Sequence, residues 1–163
     1  MKKKVCMLGA FAVGKTSLVQ QYVNSMFSER YQTTLGVKID RKSLVVRDQV
    51  IELMLWDLAG EDDYMTVRSS YLRGSAGVLL VVDGTRAETL DIALALHERV
   101  LKEVGDVPRV LCVNKADLAK DWCVDEARLS DIESAGWHVT RTSAKDGQSV
   151  EQAFQLLGGQ LVS

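Results

Sequence analysis

Continuous apolar runs recur along the chain and are separated by stretches with helical periodicity. The runs 77–82 and 109–113 contain almost only apolar residues, which is typical of strands buried on both faces of a sheet. The runs 39–46 and 50–56 flank the turn Arg47-Asp48-Gln49, and this arrangement predicts a hairpin. The predicted strands are 5–8, 39–46, 50–56, 77–82, 109–113 and 137–140.

Amphipathic segments predict the helices between these strands. Leu18, Val19, Tyr22 and Val23 recur at helical spacing, and 87–104 forms a long amphipathic stretch. The segment 25–37 is polar and predicts a loop, and 61–73 predicts a weak, mobile helix. The alternation predicts an α/β fold with a mostly parallel sheet and helices on both faces. The other predicted helices are 15–24, 124–134 ending at Gly136, and 150–157 followed by Gly158 and Gly159.

Length and composition limit the classes of protein to which this chain can belong. A chain of 163 residues predicts one domain spanning 1–163, and its 47% apolar and 26% charged residues are ordinary for a globular protein. The net charge of -2 argues against a nucleic-acid partner. Three cysteines without CxxC spacing favour a reducing compartment, so we expect a cytoplasmic location, with Cys6 and Cys112 as core residues.

We expect no intrinsic membrane anchor in the chain as given, and membrane targeting through a C-terminal tail that this sequence lacks stays open. Its longest apolar run, 76–82, is far shorter than the roughly 18 residues that a spanning helix needs. Lys2 excludes N-myristoylation, and no cysteine near the C-terminus could be prenylated. The run Lys2-Lys3-Lys4 could contact anionic lipid or a partner, or could form a solvated terminus.

The segment Gly9-Ala10-Phe11-Ala12-Val13-Gly14-Lys15-Thr16 fits the phosphate-loop pattern G-x-x-x-x-G-K-[ST] between a predicted strand and a predicted helix. Backbone N–H groups and a helix N-terminus favour a polyanion. Lys15 would place a cation on the phosphates, and the Thr16 hydroxyl is a ligand type that Mg²⁺ accepts. The alternative is a glycine turn with a solvated lysine. The predicted nucleotide contacts of this loop are Ala10, Phe11, Ala12, Val13, Gly14, Lys15, Thr16 and Ser17.

A second motif, Asn114-Lys115-Ala116-Asp117, follows the predicted strand 109–113. Ligands of α/β sheets bind at the carboxyl ends of strands. The Asp117 carboxylate can accept from two parallel donors, which guanine offers on one edge and adenine does not, so this motif disfavours an ATP-dependent enzyme. A solvated turn is the alternative interpretation.

These motifs and three others make the chain resemble the Ras-like small GTPases, particularly the Rab and Rho types and their bacterial relatives. The resemblance covers nearly the whole chain. It implies a P-loop G domain with a six-stranded, mostly parallel sheet and one antiparallel edge hairpin. Besides the two motifs above, it rests on Thr34-Leu35-Gly36, Trp56-Asp57-Leu58-Ala59-Gly60 and Ser143-Ala144-Lys145.

The resemblance implies roles for individual residues. Thr34, rather than the neighbouring Thr33, would bind Mg²⁺ and sense the γ-phosphate, and Asp57 would hold Mg²⁺, so Thr16, Thr34 and Asp57 are the expected metal site. Phe27 and Tyr31 would lie against the base and the phosphates, or could simply pack in a loop. Gly60, Lys15, Thr34 and Glu61 are the expected catalytic residues, and Asn114, Lys115, Asp117, Ser143, Ala144 and Lys145 the expected base contacts.

Two departures from the family pattern bear on catalysis. The family usually has Gln after the glycine of DxxG, whereas this chain has Glu61, followed by Asp62 and Asp63. A carboxylate accepts a proton from water but donates none unless protonated, and burial beside a phosphate would raise its pKa. Phe11 stands where many relatives have a small residue. We therefore expect slow GTP hydrolysis without ordinary rescue by a partner's arginine.

The leading hypothesis is a GTP/GDP switch with Mg²⁺ that hydrolyses GTP and binds an effector through about 30–40 and 58–72. An exchange factor and an activating protein would be further partners. The alternative is a non-switching GTP- or GDP-binding module with little hydrolysis, either a scaffold or the excised domain of a larger protein.

Overall fold

The chain forms a six-stranded sheet with helices between its strands. The computed structural model describes residues 1–25, 37–58 and 68–162, without the Leu58 side chain. A 3₁₀ turn, Ala119–Asp121, follows the fifth strand. The strands are β1 Lys2–Gly9, β2 Val37–Val46, β3 Gln49–Leu58, β4 Gly77–Asp83, β5 Arg109–Asn114 and β6 His138–Arg141. The helices are α1 Lys15–Asn24, α2 Ser69–Leu72, α3 Glu88–Glu103, α4 Glu126–Ser134 and α5 Val150–Leu161.

The strand order is β2-β3-β1-β4-β5-β6, with β2 and β6 at the edges. Among the strands of the described residues, only the β2–β3 pair is antiparallel, with Val45 opposite Val50 next to the hairpin turn. Every other pair is parallel, and β1 lies between β3 and β4. The predicted α/β class, the mostly parallel sheet and the antiparallel edge hairpin are therefore confirmed.

Each face of the sheet carries a separate hydrophobic core. On one face, α1 and α5 pack on the sheet, and the rings of Tyr22 and Phe154 stack with centroids 3.8 Å apart. On the other face, α3 contributes Leu90, Leu96 and Val100 to a second core. Its strand residues are Val78, Leu80 and Val82 of β4 and Leu111 and Val113 of β5. Because both faces are covered, the strand β4 is buried along its whole length, as its apolar run predicts.

Two cysteines are core residues, as their positions in apolar strands predict. Cys6 and Cys112 are at most 1% exposed. Burial raises the pKa of the Cys112 thiol to about 12, and burial also raises the pKa of the Cys6 thiol.

His97 of α3 is a buried core residue as well. Burial and the Arg109 cation lower its pKa, and its ring packs edge-on against the Trp137 ring with centroids 4.6 Å apart.

The predicted end of the last helix is wrong. We expected the helix to end at Leu157 with two glycines after it, but α5 continues to Leu161. The reason is packing, because a Cβ on Gly158 would lie 3.0 Å from Leu44 and 3.1 Å from Val46. Gly158 therefore lets α5 approach β2 closely inside the helix, at a modest cost in helix propensity.

The other boundaries differ by a few residues. Strand β2 begins at Val37, two residues before its predicted start, and β3 extends beyond 50–56 at both ends. Gly136 adopts φ +100, as expected of a glycine that ends α4. Most of the predicted loop 25–37 and the predicted helix 61–73 lies outside the described residues, apart from the short α2. None of the helices within 1–25, 37–58 and 68–162 could cross a membrane.

Replacing Gly84 with alanine should destabilise the protein by about 2 kcal/mol. Gly84 follows β4, and a Cβ there would overlap the Trp122 indole ring. The Cys123 N–H also donates to the Gly84 carbonyl at 2.8 Å, so the backbone cannot move away without losing this bond. Urea unfolding of both proteins measures the difference.

Two further variants control this experiment. Gly159→Ala adds the same methyl group where nothing lies within 4 Å, and we expect it to stabilise α5 by up to about 1 kcal/mol. Trp122→Leu combined with Gly84→Ala should recover part of the loss, because the smaller side chain makes room. Equal unfolding free energies for the two glycine variants would contradict the described contact with Trp122.

Candidate functional site

The backbone carbonyl groups of the loop between β1 and α1 accept hydrogen bonds from side chains and amides of the protein. Each carbonyl from Gly9 to Gly14 accepts a hydrogen bond, and the donors to the Phe11, Ala12 and Val13 carbonyls come from distant segments. Lys15 Nζ bonds to Gly9 and Ala10 at 3.2 and 3.4 Å, Arg86 to Phe11 at 2.8 Å, Lys115 to Ala12 at 3.1 Å, Asn114 to Val13 at 3.0 Å, and the Leu18 N–H to Gly14 at 2.9 Å.

This arrangement determines where the amide groups of the loop point. The C=O of one residue and the N–H of the next lie on opposite sides of a planar trans peptide, and the described chain has no cis peptide. The Phe11, Ala12 and Val13 carbonyls are held by the distant side chains, so the N–H groups of Ala12, Val13 and Gly14 point to the other side of the loop. Together with the start of α1, they form a concentration of donors suited to a polyanion.

The glycines of the motif are required by contacts within the protein. Gly14 has φ +101, and a Cβ on it would overlap the Nδ2 group of Asn114. A Cβ on Gly9 would lie 2.5 Å from the Val81 carbonyl of the adjacent strand. Ala12 adopts φ +63, a left-handed conformation that costs an L residue about 1 kcal/mol. The loop therefore has a shape that its neighbours impose.

Thr16 and Asp57 bring two hard oxygen atoms together beside the loop. Asp57 lies on β3 opposite Met7 of β1 and is fully buried. The Thr16 hydroxyl donates to Asp57 Oδ2 at 2.6 Å. A hydroxyl and a carboxylate are a donor set that Mg²⁺ accepts, so these two residues fit the predicted metal site. Lys15, only 6% exposed, donates from its ammonium group to the Gly9 and Ala10 carbonyls of the adjoining loop.

Asn114 joins three segments of the chain. Its Nδ2 donates to the Val13 carbonyl, and its Oδ1 accepts from the Thr142 hydroxyl at 3.2 Å and from the Ala144 N–H at 3.3 Å. The side chain is 2% exposed, so these bonds are shielded from water. The motif 114–117, the phosphate loop and the segment 142–146 therefore form one connected unit.

The predicted base contacts surround this unit. Ser143 donates from Oγ to Asp117 Oδ1 at 2.8 Å, which orients an exposed carboxylate. Lys115 has φ +70, and Lys145 is exposed. The Ala144 N–H already contacts Asn114, so a carbonyl of a bound base would share this donor. Sequence reasoning placed all these residues in one site, and the structure brings them together at the carboxyl ends of β5 and β6.

Lys115 also contacts a residue that the motifs do not include. Its Nζ lies 2.8 Å from Asp83 Oδ2, and Asp83 is fully buried at the end of β4. The other oxygen of Asp83 accepts from the Thr85 N–H at 2.8 Å and the Thr85 hydroxyl at 2.7 Å. An acidic residue at the carboxyl end of a buried strand was the signal that could have identified Asp83.

Other predicted site residues lie outside the described residues. Phe27, Tyr31 and Thr34 fall within 26–36, and Gly60 and Glu61 fall within 59–67. Their roles stay predictions. Within the described part of the chain, the predicted site residues are Ala10 to Ser17, Asp57, Asn114, Lys115, Asp117 and Ser143 to Lys145, and they cluster along the carboxyl edge of the parallel strands.

Comparison with known proteins gives consistent matches over this chain. The family model described as "Ras family" matches residues 4–163. Ras-related protein Rab-7b of Homo sapiens is 34% identical over 164 residues, covering 98% of this chain and 82% of that protein. Ras-related protein Rab-7a of Dictyostelium discoideum is 34% identical, covering 94% and 79%. Ras-related protein Rab-25 of Canis lupus familiaris is 36% identical, covering 93% and 72%.

Proposed function

Because the chain belongs to the Ras family of small GTPases, we propose that it binds GTP and GDP at the unit formed by the phosphate loop, Asn114–Asp117 and Ser143–Lys145. The observation that carries this proposal is the orientation of the loop. The carbonyls of Phe11, Ala12 and Val13 are held by side chains from distant segments, which leaves the N–H group that follows each of them on the opposite side. The match to residues 4–163 supports treating 1–163 as one G domain.

Selectivity for guanine would rest on Asp117. Its carboxylate accepts the Ser143 hydroxyl on Oδ1, which restrains the group, and it would accept from a base with two adjacent N–H donors. Guanine provides these donors and adenine does not. Asn114, Lys115, Ala144 and Lys145 would complete the base contacts.

Thr16 and Asp57 would hold Mg²⁺, with Thr34 joining them when GTP is bound. Bound Mg²⁺ supplies positive charge that offsets the charge developing on the phosphates. Lys15 would add a second positive charge from the loop. The 2.6 Å bond between Thr16 and Asp57 keeps both oxygens within reach of one cation.

Hydrolysis of GTP would be slow in this chain. Glu61 would take the place of the glutamine that orients the attacking water, beside Lys15, Thr34 and Gly60 as the catalytic set. An ionised Glu61 cannot donate to the phosphate oxygens and repels them. Phe11, half-buried in the phosphate loop, would occupy space that a partner's arginine would need.

The output of the switch would be protein binding through about 30–40 and 58–72. Loss of the γ-phosphate would release Thr34 and the Gly60 region, and effectors distinguish such states. Effectors, exchange factors and activating proteins are the partner classes that Ras-family members use. The net charge of -2 supports protein partners rather than nucleic acid, and we propose a cytoplasmic location.

Competition binding with Mg²⁺ tests the nucleotide class, and single-turnover hydrolysis tests the rate. We expect GDP to displace a bound fluorescent GDP analogue and ADP not to displace it.

We expect the native chain to hydrolyse GTP at or below the order of 10⁻⁴ s⁻¹, and Glu61→Gln to raise this rate by about tenfold or more. Asp63→Asn removes the same charge two residues away and should leave the rate unchanged. Fast native hydrolysis, unaffected by Phe11→Gly, would contradict the slow-turnover proposal.

A second candidate is a nucleotide-binding module that neither hydrolyses GTP nor switches. The acidic run Glu61-Asp62-Asp63 and Phe11 favour it, because both oppose catalysis at the γ-phosphate. Amide hydrogen exchange in the GDP complex and in a GTP-analogue complex separates the candidates. A switch would differ in protection within 30–40 and 58–72, whereas a module of the second kind would not.

A further inference from the structure

Arg86 reaches from the turn after β4 to the phosphate loop. Its guanidinium Nη1 donates to the Phe11 carbonyl at 2.8 Å, across 75 residues of chain. On its other side, Nε contacts Glu88 Oε1 at 3.3 Å. None of the motifs in the sequence includes this arginine.

The contact acts on the peptide that precedes Ala12. Ala12 has the left-handed φ of +63, which an L residue adopts only at a cost. The peptides on both sides of Ala12 are held by cations, the Phe11 carbonyl by Arg86 and the Ala12 carbonyl by Lys115. Rotation of the Phe11–Ala12 peptide would turn the Ala12 N–H away from the phosphate side and present a carbonyl there instead.

We propose that Arg86 is a positioning residue for nucleotide binding. By holding the Phe11 carbonyl outward, it keeps the Ala12 N–H directed at the phosphates of a bound nucleoside di- or triphosphate and slows release of the nucleotide. This proposal rests on the proposed guanine-nucleotide binding and adds a determinant of its affinity.

The pair with Glu88 does not account for the placement of Arg86. The Glu88 side chain is 63% exposed, and exposed pairs of this kind contribute little. The bond to Phe11 joins a cation to a carbonyl within a loop whose other carbonyls are also bound, so it is the contact expected to matter.

Release of a fluorescent GDP analogue from the full chain with Mg²⁺ tests the proposal. We expect Arg86→Ala to release it on the order of tenfold faster than the native chain, because a charge-assisted hydrogen bond is lost. Arg86→Lys, which keeps the positive charge, should release the analogue more slowly than Arg86→Ala. The affinity for GMP should change less than that for GDP, so the ratio of the two affinities should fall in Arg86→Ala.

Phosphorus-31 NMR gives a readout that a purely structural role would not move. We expect the β-phosphate resonance of bound GDP to shift in Arg86→Ala, because one amide donor near the phosphates has turned. Two controls are matched to the variant. Glu88→Gln removes the exposed pair, and Arg128→Gln removes a cation of α4 that pairs with Asp91 of α3. Both should release GDP within about threefold of the native rate.

The possible outcomes distinguish failure of the proposed role of Arg86 from failure of the proposed guanine-nucleotide binding. A native chain that binds no GDP overturns the proposed function. A native chain that binds GDP, with Arg86→Ala releasing it at the native rate, overturns the role of Arg86 alone. Equal acceleration in Arg128→Gln would also overturn it, because net charge and not the loop contact would then set the rate.

Discussion

Replacing Asn114 with alanine should lower the free energy of unfolding by about 3 kcal/mol and remove tight nucleotide binding. The side chain is 2% exposed and bonds to Val13, Thr142 and Ala144. Alanine would leave the Val13 carbonyl and the Ala144 N–H buried without this partner. Urea unfolding without nucleotide measures the first effect, and the stabilisation that added GDP confers measures the second.

Asn24→Ala is the matched control for this prediction. It deletes the same amide from an exposed position in α1, where the partner is Gln20 at 2.9 Å. We expect a change within about 0.5 kcal/mol and unaltered GDP binding. If Asn114→Ala were no more destabilising than Asn24→Ala, the proposed link between the three segments would be wrong.

Replacing Lys115 with methionine should cost about 3 kcal/mol of stability. The change leaves the fully buried Asp83 without the cation that lies 2.8 Å from its Oδ2. We place the cost at the lower end of the range for broken buried pairs, because the Lys115 side chain is 32% exposed. The Ala12 carbonyl loses its donor as well, so GDP binding should weaken in the same variant.

Adding Asp83→Asn to Lys115→Met separates the ion pair from other effects. The neutral amide no longer needs a cation, so the double variant should be less destabilised than the sum of the single variants predicts. Lys120→Met, at an exposed position, makes the same side-chain change and should alter stability by less than about 0.5 kcal/mol. Strict additivity of the two site variants would show that Lys115 and Asp83 are not coupled.

Much of the fold could be predicted because local patterns and tertiary packing agree. Helix α1 has the predicted bounds, since its glycine-lysine start and apolar spacing are local features. The strand β4 was equally clear, because burial on both faces demands a continuous apolar run. The end of α5 could not be predicted, because Gly158 serves contacts with Leu44 and Val46 that only the folded chain brings together.

The residues of the candidate site also differ in whether the sequence predicts them. The phosphate loop and Asn114–Asp117 are contiguous motifs, so their chemistry can be read from the sequence. Asp83 and Arg86 act across long separations on single carbonyl or ammonium groups, and no spacing rule reports such contacts. The informative feature is that Asp83 ends the buried strand β4 and Arg86 follows it closely.

The close approach of the Asn114 side chain to Gly14 limits which substitutions the two positions can accept. A Cβ at 14 and the amide at 114 would occupy one volume, so the two positions are not independent in evolution or in a mutant library. A larger residue at 14 would need a smaller residue at 114 in addition to the strain of φ +101, and the change at 114 already loses the bond to Val13. Single-site scans would therefore score both positions as invariant, although the steric part of that constraint belongs to the pair.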